Sequence, residues 1–226
     1  MIEQALKATP SKDFPNVFYR SASAEILPFL RDKSVDMIVA GQAAHWFDPS
    51  RFWPEMKRIV RPGGTAAFWG YTDPAFPGFK NATNILSEFA YRNDALGPYW
   101  SQPGRFLVQD KLRHLQPHSE DWTDVRRIEY EPDWHEGLKG EGTMILSARM
   151  AVRDCMNYVR TWSSFSTWQD SHPTESKRDA SGEGDVVDKI FDSMRDAEPA
   201  WQSDQWLDMH IDIEWGSGLL LSRRKL

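Results

Sequence analysis

His45 is the titratable residue best placed for chemistry in this 226-residue sequence. It lies in the loop Gln42-Ala43-Ala44-His45-Trp46-Phe47, after an apolar run over 35–40 that Gly41 ends. An imidazole beside an indole, at the end of a buried strand, suits a hydrogen-bond donor or weak base on a pocket floor. A surface histidine beside a core tryptophan is the plainer reading, and position alone leaves the two about even. A second group is Tyr158, Arg160 and Trp162. Tyr158 and Trp162, four apart, share a helix face, while Arg160 points elsewhere. The Arg160 fork matches a carboxylate, although a surface ion pair is the commoner fate. Ser23-Ala24-Glu25 is a third group. It can face a heterocycle, but Ser23 as an N-cap with Glu25 in the first turn of a short helix is the preferred reading. The six histidines, at 45, 114, 118, 135, 172 and 210, show no metal spacing, and Pro117 interrupts the pair His114 and His118. No HExxH, CxxC, acidic calcium loop, GxSxG elbow or P-loop is present, so no metal is expected and a serine hydrolase has no support.

These side chains need elements to hold them. The run over 35–40 reads as a strand buried on both faces. Asp48-Pro49 opens a helix as N-cap and first helical residue, and Phe52, Met56 and Ile59/Val60 mark its buried face. Pro62-Gly63-Gly64 stops that helix before a second apolar run over 65–69. The unit is βαβ, with a right-handed crossover expected, and its ligands belong beyond the strands' carboxyl ends, at 41–47 and after Trp69. Elsewhere the spacing predicts helices over 2–8, 79–93, 106–115, 146–162 and 185–197, and one helical turn over 26–30. Strands are predicted over 16–20 and 122–130. Residues 131–143 read as loop with some extended structure, and 171–184 as a solvated mobile loop. The alternation over 209–215, the turn signal Gly216-Ser217-Gly218 and the run over 219–223 predict a terminal hairpin.

Composition narrows the classes. Hydrophobic residues make up 40% of the chain, which is globular, and the length suffices for one domain with a good core. A formal charge of −6 gives no general reason to bind nucleic acid or anionic membrane. The single cysteine, Cys155, excludes an intramolecular disulfide framework and fits a reducing compartment, so a cytoplasmic location is expected. No apolar run long enough for a transmembrane helix occurs, and the polar start MIEQALKATP has no signal-peptide core. Eleven tryptophans point to thick aromatic packing or to an aromatic-lined pocket.

Three stretches carry a family resemblance: SAEILPF, VDMIVAGQAAHWFD and FWPEMKRIVRPGGTAAFWGY. With NYVRTWSSFSTW and the ending IDIEWGSGLLLSRR, they resemble the class I S-adenosylmethionine-dependent methyltransferases, and more closely the fungal trans-aconitate methyltransferase-like group. The resemblance implies an α/β, Rossmann-like and mostly parallel sheet in a single domain over 1–226. That domain divides into a partial core (1–75), cap helices with an added strand (76–205) and closing strands (206–226). It implies S-adenosyl-L-methionine as cofactor, near Ser23, Ala24, Glu25, Gln42 and Ala43. It implies a small-molecule acceptor, a carboxylate, among Trp46, Tyr71, Tyr158 and Trp162, oriented by His45 or Arg160.

The family pattern opens with a strand, a Gly-rich loop, a helix and a second strand, and this sequence matches it only from the helix that follows. An N-terminally truncated member is therefore expected. Its sheet would lack two strands and keep an open edge at 35–40, and its cofactor binding would be weak or absent. Two other functions stay open: a cofactor-independent cyclase or isomerase of a small metabolite, and a non-catalytic scaffold that forms a homodimer through the open edge.

Overall fold

The computed structural model describes residues 2–133, 140–178 and 183–226. Its strands are β1 (Val35–Gly41), β2 (Val60–Ala75), β3 (Trp122–Glu131), β4 (Glu141–Gly142), β5 (Ser147–Ala151) and β6 (His210–Arg224). Its helices are α1 (Ile2–Ala8), α2 (Pro49–Ile59), α3 (Lys80–Tyr91), α4 (Gly104–Gln109), α5 (Val152–Val159), α6 (Ser163–Ser171) and α7 (Val186–Ala197). Among the described residues the strands form one six-stranded sheet ordered β1-β2-β6-β3-β4, with β5 also on β6. Only β1 and β2 run parallel; the remaining pairs are antiparallel. The sheet is therefore less parallel than the resemblance implies. As expected, β1 is an edge strand.

The βαβ unit forms, with two corrections: β1 is not buried on both faces, since Met37 and Val39 are exposed where no helix covers them, and β2 begins at Val60, so Pro62-Gly63-Gly64 lies within the strand rather than ahead of it. Asp48 caps α2 by accepting from the Ser50 N–H at 2.9 Å, with Pro49 at the first helical position. Phe52, Trp53, Met56 and Ile59 are buried against Ala66 and Phe68 of β2 and against Leu112, Leu115, Trp122 and Leu220. Each such side chain contributes about 1.5–3 kcal/mol through burial.

Residues 9–34 differ from expectation. The strand over 16–20 does not form, and Phe18 is 84% exposed. Among the described residues no strand lies alongside to complete a ladder, so its aromatic pattern has no sheet to join. The helical turn over 26–30 is a series of hydrogen-bonded turns fastened to α2. Glu55 Oε1 accepts from the Leu27 N–H at 2.7 Å, while Arg58 donates to the carbonyls of Leu27 and Leu30 and to Asp32.

Two further corrections concern the C-terminal half. The long helix over 146–162 is β5 followed by α5, because residues 147–151 pair with β6 and Arg149 bridges Asp212 at 3.0 Å. The terminal hairpin is one 15-residue strand, β6. Gly216-Ser217-Gly218 runs straight through the sheet, with Gly218 opposite Gly70 and Ser217 opposite Tyr71. These glycines serve close approach: a Cβ on Gly216 would sit 2.2 Å from Thr72 Oγ1, and one on Gly218 2.8 Å from Lys111. Helix α7 forms as predicted behind an Asp185 capping box, and β4 is the extended piece within 131–143. The parts of the two predicted loops at 134–139 and 179–182 lie outside the described residues.

The two faces of the sheet are covered unequally. One carries α2 and the stretch 104–115. On the other, Ile211, Ile213 and Trp215 of β6 pack with Phe89, Val159 and Phe191 under α3, α5 and α7. By the period-two rule the same face continues along β6 to Leu219 and Leu221, which lie opposite Trp69 and Ala67. There the helices stop, and Met37, Val39 and Trp69 are 56%, 56% and 40% exposed.

Candidate functional site

The site exists because β2 outruns β1. Gly41, the last residue of β1, pairs with Trp69, whereas β2 continues to Ala75. Gln42 supplies one more rung with its side chain. Its amide nitrogen donates to the Tyr71 carbonyl at 3.0 Å and its amide oxygen accepts from the Tyr71 N–H at 2.8 Å. Gln42 takes a left-handed backbone, φ 50°, which turns the chain away from the sheet. Past that rung a cavity of about 320 Å³ opens beside β2.

The loop enters the cavity wall as a single 3-10 turn, Ala44–Trp46. Ala44 is fully buried, which presents His45 and Trp46 to the cavity. Their rings lie 4.9 Å apart. Trp46 lies across the start of α4, where Gly104 leaves it room: a Cβ there would come 2.7 Å from the indole. His45 is buried, and its Nδ1 has no hydrogen-bond partner among the described residues. Burial, and then the neighbouring His114 and Arg105, hold its pKa below the ordinary 6.5. His45 is therefore a neutral imidazole at pH 7.

The opposite wall comes from α5 and the start of α6. Tyr158, Thr161, Trp162 and Ser163 face the cavity. The Tyr158 hydroxyl accepts from Trp215 Nε1 at 2.9 Å, and burial pushes its pKa up to about 12, so it remains protonated. Trp162 meets Trp100 with ring centroids 5.6 Å apart.

Of the residues predicted from sequence, the fold brings Gln42, His45, Trp46, Tyr71, Tyr158 and Trp162 together around one cavity. It places the others elsewhere. Arg160 is turned away: its Nε donates to Asp185 Oδ2 at 2.7 Å and its Nη2 to Asp185 and Asp188, both at 2.9 Å. It is 11% exposed and joins α5 to the start of α7. Ser23 and Glu25 hydrogen-bond each other, and Glu25 Oε1 accepts from the Asp48 N–H at 3.0 Å, which ties this turn and Ala24 to the start of α2. The Ser23 bond is the main reason the Glu25 carboxyl titrates below its usual range. Ala43 backs the 3-10 turn and does not line the cavity.

Sequence reasoning missed Asp73, Trp100 and Arg105. Asp73 had a positional signal, since it follows Trp69 in the stretch beyond β2's apolar run. Arg105 and Trp100 had none, because a loop and a six-residue helix bring them in from outside the βαβ unit. Among the described residues no cluster of three or more His, Cys, Asp or Glu side chains could hold a metal ion, and no helix is long and apolar enough to cross a membrane.

The residues lining the cavity suit one chemical group well, an organic cation such as a sulfonium. Trp46, Tyr71, Tyr158 and Trp162 line the cavity with rings of the kind that attract cations by their quadrupoles, while Trp100 already carries the Arg105 guanidinium, 4.2 Å from its ring centroid. The Ser23–Glu25 turn, whose hydrogen bonds stay within the protein, adds no free side chain to this set.

Comparison with known proteins agrees with that chemistry. A family model described as a methyltransferase domain matches residues 1–68. A Saccharomyces cerevisiae protein named as a probable S-adenosylmethionine-dependent methyltransferase, CRG1, is 25% identical over 212 residues, covering 91% of this chain and 68% of its own. An uncharacterized methyltransferase of Mycobacterium tuberculosis is 52% identical over 103 residues, 45% of this chain and 38% of that one. The solved structure of a candidate type II methyltransferase from Anaeromyxobacter dehalogenans superposes with a TM-score of 0.62 at 22% identity, over 92% of this chain and 72% of that one.

Proposed function

We propose that the chain is a class I S-adenosylmethionine-dependent methyltransferase, a reading that its relatives and fold support, and that it methylates a small carboxylic acid bound in the cavity beside β2. The observation that carries this reading is the cavity itself. It lies at the carboxyl ends of β1 and β2, where open α/β sheets bind ligands, and it is walled by aromatic rings. The cofactor, when bound, supplies a methyl group on a sulfonium, an electrophile that needs no activation. Trp46, Tyr71 and His45 would hold that end of it, with Gln42 fastening the loop of His45 and Trp46 to Tyr71 on β2.

A carboxylate is already a nucleophile, so the protein need not remove a proton. Its residues orient the acceptor and exclude water. Trp162, Trp100 and Tyr158 offer stacking surfaces, and the neutral His45 offers one hydrogen bond to an acceptor oxygen. The isomerase and scaffold readings are not favoured, because the relatives named above are methyltransferases.

Titration calorimetry with S-adenosylhomocysteine, followed by mass spectrometry of carboxylic acids incubated with the protein and S-adenosylmethionine, tests this. Saturable binding and methyl ester formation are expected. Absence of both would overturn the proposal and agree instead with the weak cofactor binding expected from the sequence.

A further inference from the structure

Arg105 is the only lysine or arginine among the described residues lining the cavity. It stands in the first turn of α4 and is 11% exposed. Its guanidinium carbon lies 4.2 Å from the centroid of the Trp100 ring and 5.3 Å from that of Tyr91. Nη2 donates both to Asp73 Oδ1 and to the Tyr91 hydroxyl, which itself donates to Asp73 Oδ2 at 2.5 Å. Asp73 and Tyr91 therefore hold the fork in one orientation. The donors are not all spent: Arg105 Nε is buried with no hydrogen-bond partner among the described residues. Nδ1 of His45, which lines the same cavity, is likewise buried without a partner among the described residues.

A buried N–H without an acceptor is costly, and more so on a charged group. An unpaired N–H on the guanidinium of a cavity-lining residue calls for a ligand that offers acceptor oxygens, and the His45 ring adds a second donor in the tautomer that protonates Nδ1. A guanidinium stacked on an indole and pinned by a carboxylate loses little freedom on binding, which favours a planar oxyanion. Asp73 is the one carboxylate among the described residues lining the cavity, and it would repel a second negative charge on the ligand. Aromatic rings make up much of the remaining wall, together with the small side chains of Thr72, Ser101, Thr161 and Ser163.

We propose that Arg105 binds the carboxylate of an aromatic monocarboxylic acid, whose ring lies among Trp46, Trp100, Tyr158 and Trp162. This rests on the carboxylic-acid reading above and refines it: the specificity-determining cation is Arg105, with Asp73 restricting the acceptor to a single acid group.

The test is binding without cofactor, by ligand-observed NMR titration of phenylacetate, cinnamate and indole-3-acetate, each beside its methyl ester. The acids should bind more tightly than the esters. Arg105→Lys keeps a charge for Asp73 but removes Nε and the stacked plane; it should weaken the acids about tenfold and leave the esters unchanged. Asp73→Asn removes the competing carboxylate and should tighten the acids severalfold, a gain that a merely structural Asp73 would not give. Circular dichroism checks folding, and if Arg105→Lys does not fold, Asp73→Asn decides alone. Equal binding of acid and ester to the native chain, or parallel loss of both in the variants, overturns the assignment. Acid-selective binding without methyl transfer would leave Arg105 assigned and sink the reaction; methyl transfer to acids that Arg105→Lys leaves unchanged would do the reverse.

Discussion

His45 and His114 show how little a residue's type says before its surroundings are known. Both were plain histidines in the sequence. Burial is the largest cause that lowers each pKa, with the nearby cations Arg105 for His45 and Arg127 for His114 acting the same way. Asp110 opposes the shift at His114. Both rings of this pair have nitrogens without partners among the described residues. In the unfolded chain these histidines take up protons as pH falls through 6.5, while the folded chain resists. Stability conferred by the neutral forms is therefore present above that pH and lost progressively below it. Thermal unfolding followed by circular dichroism from pH 8 to 5 should show Tm falling on the acid side, and less steeply in His114→Asn. Parallel curves would refute the assignment. Arg160 makes the opposite point, since a residue chosen for catalysis serves structure. Arg160→Gln would strand the buried Asp185 and Asp188, and should cost about 3–5 kcal/mol in urea unfolding while leaving acid binding in the cavity unchanged.

At the scale of elements, α2 was legible because its signals are local. The N-cap, the first-turn proline and the apolar stripe all lie within a dozen residues. Asp48→Ala should lower stability by about 1 kcal/mol, measured by urea unfolding. Strands β5 and β6 were misread because their signals are not local. Ala148, Ala151 and Cys155 fit a helical period as well as the start of a strand, and only the partner strand some 60 residues on decides. Gly216-Ser217-Gly218 has the composition of a turn, yet the crowding of Thr72 and Lys111 is what demands residues without side chains there. Gly218→Val should therefore disrupt the central strand and lower Tm sharply, whereas a glycine serving only a surface turn would tolerate a larger residue better. Near-native Tm in that variant would contradict the continuous strand.

At the scale of the whole molecule, the decisive feature is uneven cover. Helices close one face of the sheet and half of the other, and leave Met37, Val39 and Trp69 bare beside the unpaired edge of β1. A bare apolar face next to an open edge invites self-association. Sedimentation velocity should show weight-average mass rising with concentration. Val39→Lys should reduce that rise with a stability change within about 0.5 kcal/mol, since the site is exposed. A concentration-independent monomer would contradict this.

What the sequence determined by itself was the βαβ unit with its cavity-facing loop, the amphipathic helices α3 and α7, and the family resemblance carried by contiguous motifs. It placed Gln42, His45, Trp46 and Tyr71 near one another because strand–loop–helix geometry fixes that arrangement over a short span. Tertiary structure alone decided that β6 is unbroken, that Arg160 faces Asp185 and Asp188, and that Arg105 and Asp73 supply the charge in the cavity. The physical reason is range. Periodicity and caps act between neighbours in the chain, whereas which cation reaches a cavity depends on how distant elements pack, and sequence spacing does not encode that directly.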